Sequence, residues 1–154
     1  MKRTLLVLLV IFLSVSATYG QNASLFDKYS KLEGVYSQTV GKGVLKLALL
    51  SSKGNEKALL KCISQIKILD FTNSEQEIRD LYLYDVQKLE GKDFVKVAEE
   101  TKDNSTQLCY ARVSKDTIER LLIINIESQT AQIMSMEMEG TIPVNILEGF
   151  MDKR

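Results

Sequence analysis

From Phe94 onward, apolar and polar positions alternate with a period of two. Residues 94–100, 107–113, 118–127 and 131–139 therefore predict four strands. Polar stretches at 102–105, 114–116 and 127–130 supply the three turns between them. The first half of the chain has a different rhythm. Ser24 followed three residues later by Asp27 forms a capping box, and Leu25, Phe26, Tyr29 and Leu32 at helical spacing predict a helix over 25–33, ending before Gly34. Residues 35–40 read as a first strand, 42–50 as a helix, and 51–54 as its break. Asn55 then caps a short helix running to Cys62 or Ile63. Ile66, Ile68, Leu69 and Phe71, crowded into 65–71, suit a buried strand. Ser74 with Glu77 makes a second capping box. Ile78, Leu81, Tyr82, Asp85, Val86 and Leu89 mark the inner face of a helix that stops at Gly91. Pro143 opens a final short helix with Val144, Leu147 and Phe150 on its inner side.

Helices mixed with strands come first and a meander comes last. That order predicts an α+β domain built on a mixed, mostly antiparallel sheet of about six strands with helices packed on one face. The first strand, a helix and the second strand fit a right-handed parallel crossover. No repeat, low-complexity tract or linker divides the chain.

The first twenty residues stand apart. Lys2 and Arg3 precede an unbroken apolar run from Leu5 to Leu13 and then mostly small residues to Gly20, the three-part layout of a secretory signal peptide. The run is short of the roughly 20 apolar residues a membrane helix needs. Cleavage after Gly20 or after Ala17 satisfies the small-residue rule, and no lipid-attachment cysteine follows either site. The expectation is residues 1–20 as signal peptide and 21–154 as a single domain, periplasmic or secreted, with no stable membrane anchor after cleavage.

Composition narrows the chemistry. Basic and acidic residues number 20 each, and loss of Lys2 and Arg3 leaves a mature chain with two acids in excess. That balance argues against nucleic acid, which needs clustered positive charge, and equally against an anionic membrane surface. The chain has no histidine. The commonest general base, the Ser/His/Asp and Cys/His nucleophile systems and the usual zinc and iron ligands are therefore absent. No catalytic residue, cofactor or resident metal is called for. Cys62 and Cys109 form either one disulfide, which an oxidising compartment permits, or two separately buried thiols.

Three constellations merit weighing. Met134, Met136 and Met138 alternate along one strand and share a face, a thioether set suited to copper(I) or silver(I). The simpler reading makes them the core face of a sheet, with Ser135, Glu137 and Glu139 in water. Glu137 and Glu139 share the other face and would do acid/base chemistry only if a cleft shifted one pKa. Tyr29, Tyr82, Tyr84 and Tyr110 are the groove-edging aromatics; Tyr82 falls on the apolar helix face, and Tyr84 falls off it as the better contact residue.

The stretch from Phe26 through Asp27, Lys28, Tyr29, Ser30, Lys31, Leu32, Glu33 and Gly34 to Val35 resembles the opening of the bacterial family known as domain of unknown function 4252. So does the order that follows: a helix around Lys46 and Leu47, the Ile66–Leu69 strand, a charged helix, and strands ending in Met136 to Gly140. The resemblance implies a small exported protein of a Gram-negative envelope, and it brings no active site. It implies lipoproteins for many members, whereas this chain lacks the lipobox cysteine. The resulting expectation is a non-catalytic module that binds an envelope protein or small ligand on the sheet face its helices leave bare. The alternatives are an envelope stress or redox sensor using Cys62 and Cys109, and a histidine-free carboxylate enzyme.

Overall fold

The computed structural model describes the backbone of residues 24–151 and the side chains of residues 24–148. The proposed signal peptide and Phe150 lie outside the residues whose side chains are described. Helix α1 (Leu25–Tyr29) leads to strand β1 (Tyr36–Val40). Helices α2 (Lys42–Ser51) and α3 (Gly54–Cys62) follow, then β2 (Ile63–Asp70) and helix α4 (Gln76–Gln87). The meander is β3 (Val95–Lys102), β4 (Ser105–Ser114), β5 (Thr117–Glu127) and β6 (Gln132–Pro143), closed by helix α5 (Val144–Met151). The fold is α+β, and the six strands form one sheet in the order β1-β2-β6-β5-β4-β3.

Two elements differ instructively from the sequence reading. The first helix stops at Tyr29: Ser24 does cap it, accepting from the Asp27 N–H at 3.2 Å, but the chain turns at Gly34 with φ at +82°. A Cβ there would meet the Asn73 carbonyl oxygen at 2.5 Å. Glycine lets the two loops touch. Ser74 does not cap α4, because its hydroxyl donates to the Phe71 carbonyl at 2.8 Å and the cap position falls to Glu75.

The parallel crossover is corrected. β1 pairs antiparallel with β2, and every other strand pair of the sheet is antiparallel too. With two helices, α2 and α3, between them, the connection has the length to turn the chain back beside its own start. The helices do not share one face either. Leu122 and Ile124 of β5 pack with Tyr29, Ile78, Tyr82 and Val86 of α1 and α4, while their neighbours Leu121 and Ile123 pack with Leu45, Leu59 and Leu147 of α2, α3 and α5. Adjacent strand residues point to opposite faces, so each face carries its own helices and its own core. Two small cores replace one large one.

The core under α1 and α4 is aromatic. The Tyr29 and Tyr82 rings meet edge-on, 5.0 Å apart at 88°, and Phe71 lies 4.5 Å from Tyr82. Two of its hydroxyls find acceptors: Tyr29 donates to Asp85 at 2.6 Å, and Tyr82 to Ser135 at 2.5 Å. The core under α2, α3 and α5 is aliphatic. There β6 passes so close to the end of α3 that a Cβ on Gly140 would sit 2.1 Å from the Cys62 carbonyl oxygen.

Candidate functional site

The strand register sorts the outer face, opposite α1 and α4, into three cross-strand rows. Val40, Ile66, Met138, Leu121, Ala111 and Val95 form the first. The α2–α3–α5 group covers its middle, where Leu121 and Ala111 are fully buried. The second row runs Gln38, Ile68, Met136, Ile123, Cys109 and Ala98, and here Ile68, Met136 and Ile123 are half-buried side by side. In the third row stand Tyr36, Asp70, Met134, Asn125, Gln107 and Glu100. Tyr36 is 61% and Met134 45% exposed, and Gln107 donates to Asn125 at 3.1 Å. Cover thus fades across the face, from closed aliphatic core to an apolar strip with a polar margin.

The three methionines share this face as expected, but of the three only Met138 packs against a core. Ser135 and Glu137, expected in water, are 2% and 6% exposed under the aromatic side, while Met134 is open. Alternation alone does not reveal the reversal, since β6 has a partly covered face on both sides. Ser135 is buried because it accepts from Tyr82. Glu137 is buried beside two cations. Arg120 Nη1 lies 3.8 Å from its Oε1, too far for a hydrogen bond, and that oxygen has no hydrogen-bond partner. Burial holds the Glu137 carboxyl above its ordinary pKa, with Arg120 and Lys67 pulling it back down. Lys67 Nζ lies 3.0 Å from Glu139 Oε1, an ion pair whose angle does not make a hydrogen bond, and 5.4 Å over the Phe26 ring.

Of the tyrosines, Tyr29, Tyr82 and Tyr110 are all buried; Tyr29 and Tyr110 therefore edge no groove, contrary to expectation, because both are absorbed by the aromatic core. Burial raises all three phenol pKa values, and for Tyr29 the Asp85 carboxylate adds to the rise. Tyr84 is 54% exposed, with Lys88 Nζ 4.2 Å over its ring. The disulfide is not formed in this structure. Cys62 donates to the Ala58 carbonyl within α3 at 3.3 Å, and Cys109 sits in the second row of the outer face. No cluster of three or more His, Cys, Asp or Glu side chains placed to hold a metal ion occurs among the described residues.

A groove of about 660 Å³ opens between α2, the end of α3 and the sheet rim. Lys42, Lys46, Lys61 and Arg120 line it beside Leu45 and Leu49. Two acids, Glu119 and Glu139, also line it, and each reaches a cation from outside the groove, Arg112 at 3.6 Å and Lys67 at 3.0 Å. No helix among the described residues is long and apolar enough to cross a membrane.

No curated protein matches the chain. The family model described as domain of unknown function (DUF4252) matches residues 29–149, from the first aromatic core residue into the last helix. Both cores and all six strands fall inside that span, and the chain belongs to the DUF4252 family.

Proposed function

We propose that this protein is exported to the bacterial envelope and works there as a non-catalytic binding module, holding a partner protein on the open rows of its outer sheet face. One observation carries the reading: Ile68, Met136 and Ile123 stand only partly buried in one row, with exposed Met134 beside them and Tyr36, Asp70, Asn125 and Gln107 along the margin. An apolar centre with a polar rim is the anatomy of a protein interface, and methionine adapts its shape to what meets it. An open sheet face offers area rather than enclosure, which favours a protein over a small ligand. Of the two acids weighed for catalysis, Glu137, whose proton affinity is raised, does not line the groove, and Glu139 is paired with Lys67. That separation favours binding over acid/base chemistry.

The test is capture from envelope extract with the chain from Gln21, in parallel with a Met136→Asp variant. The reading expects at least one protein held by the parent chain and lost by the variant. Identical retention by both, or none by either, overturns it.

A further inference from the structure

A second surface is assembled from α2 and α3. Three of the large apolar side chains left in solvent belong to the single helix α2: Val44 is 58%, Leu47 67% and Leu50 84% exposed. At spacings of three they occupy one arc of the helix, away from Leu45, which is buried in the aliphatic core. Residues that serve only to bury a core leave no such arc. An apolar stripe this open is suited to a covering partner.

The charges around it say what kind. Residues 42–61 hold five lysines, Lys42, Lys46, Lys53, Lys57 and Lys61, against one acid, Glu56. Lys42 and Lys46 are one turn apart on α2, and Lys53, at the N-cap of α3, is followed at the same spacing by Lys57 and Lys61 within it. All five are exposed, and none forms an ion pair among the described residues. Helix stability accounts for Lys61, in the last turn of α3, but not for the two lysines of α2. Lys42 opens α2 at its positive end, where no acidic residue offsets it, and the last turn of α2, where a cation would help, has no basic residue. Lys42, Lys46 and Lys61 converge on the groove beside Arg120, whose own carboxylate neighbour Glu137 is outside it. Glu119 and Glu139 line the groove too, but each is paired with a cation outside it, and the near-zero charge of the whole chain conceals the lysine excess of residues 42–61.

We propose that the α2–α3 hairpin docks this protein on an anionic lipid bilayer, Val44, Leu47 and Leu50 entering the interface and the lysines meeting lipid phosphates. Exposed leucines beside a lysine-rich flank are the composition of a helix that lies in a membrane surface. Neither part suffices alone. A few apolar side chains bind reversibly, and lysines near a charged surface add attraction that salt screens within about 8 Å at physiological ionic strength.

Co-sedimentation with vesicles tests this, using the chain from Gln21, which keeps every residue of both cores while lacking the N-terminal apolar run. Vesicles of equal parts phosphatidylglycerol and phosphatidylcholine are compared with pure phosphatidylcholine. Binding to the anionic vesicles is expected to exceed binding to the neutral ones by about tenfold or more and to fall by a similar factor when salt is raised well above physiological strength. Leu47→Asp with Leu50→Asp, and separately Lys42→Glu with Lys46→Glu and Lys61→Glu, should each abolish it. Since all five positions are exposed, thermal unfolding checks that both variants stay folded. The proposal is overturned by absence of binding to anionic vesicles, by equal binding to neutral ones, or by variants that bind as the parent does. It is equally overturned if the parent chain is a dimer in solution that Leu47→Asp with Leu50→Asp splits, for then a second copy covers the arc.

Discussion

The two faces of the sheet solve the burial problem differently. Under α1 and α4 the core is built of rings, and the buried hydroxyls are satisfied by side chains far away in sequence, Tyr29 by Asp85 and Tyr82 by Ser135. Such a core is specific, because Tyr29 and Tyr82 must both pack and meet their acceptors. On the other face the core is aliphatic, closed at one end by α2, α3 and α5 and thinning across the rows into Ile68, Met136 and Met134. Its buried members among the described residues are aliphatic apart from Cys109. The aromatic face holds the fold together, and the aliphatic face has surface to spare.

Core truncation should separate the faces most strongly. Phe71→Ala, in the ring cluster, is expected to cost about 3–5 kcal/mol, whereas Met136→Ala, only partly buried, should cost about 1 kcal/mol or less. Urea unfolding measures both. Equal losses would mean that the open rows are not open in solution.

A smaller effect probes the hydroxyls. Tyr29→Phe keeps the ring and removes the donor to Asp85, leaving that carboxylate with Lys28 at 2.9 Å. The expected cost is about 1–2 kcal/mol by the same unfolding measurement. No loss would show that packing alone governs this face.

The smallest and most diagnostic effect is that of Glu137. Folding raises its proton affinity, so the folded chain holds that proton more tightly than the unfolded chain does. Its favourable contribution is therefore complete below the ordinary carboxylate value of 4.5 and fades as pH rises through the higher folded value. Glu137→Gln, whose Oε1 gives up no hydrogen bond, should stabilise the protein at pH 7, with the gain vanishing in acid. Thermal unfolding of both forms across pH 4 to 7 reads the difference. A destabilised variant at pH 7 would instead make the contact with Arg120 worth more than the burial costs.

Much of the fold is written locally. The alternation after Phe94 marks the four meander strands, and the hairpin turns fall at Asp103 and Lys115, both with positive φ. The Ile78–Tyr82–Val86 spacing marks α4 and its buried face. The candidate surfaces were less legible. Met134, Met136 and Met138 visibly share a face, yet which face of β6 is open depends on where α1 and α4 settle. The lysine spacing of α2 and α3 stands in the sequence, but whole-chain charge masks it, and only the exposure of Leu47 and Leu50 gives it a meaning.

The sequence by itself determined the elements and their order, because capping, periodicity and turn chemistry act between residues a few positions apart. Tertiary structure alone decided that β1 returns antiparallel beside β2, that helices divide between two faces, and that Glu137 is buried while Met134 is not. Those outcomes rest on contacts between residues tens of positions apart. In a sheet with cores on both sides, apolar and polar residues alternate whichever way the strand is turned, so the partner helices choose the face.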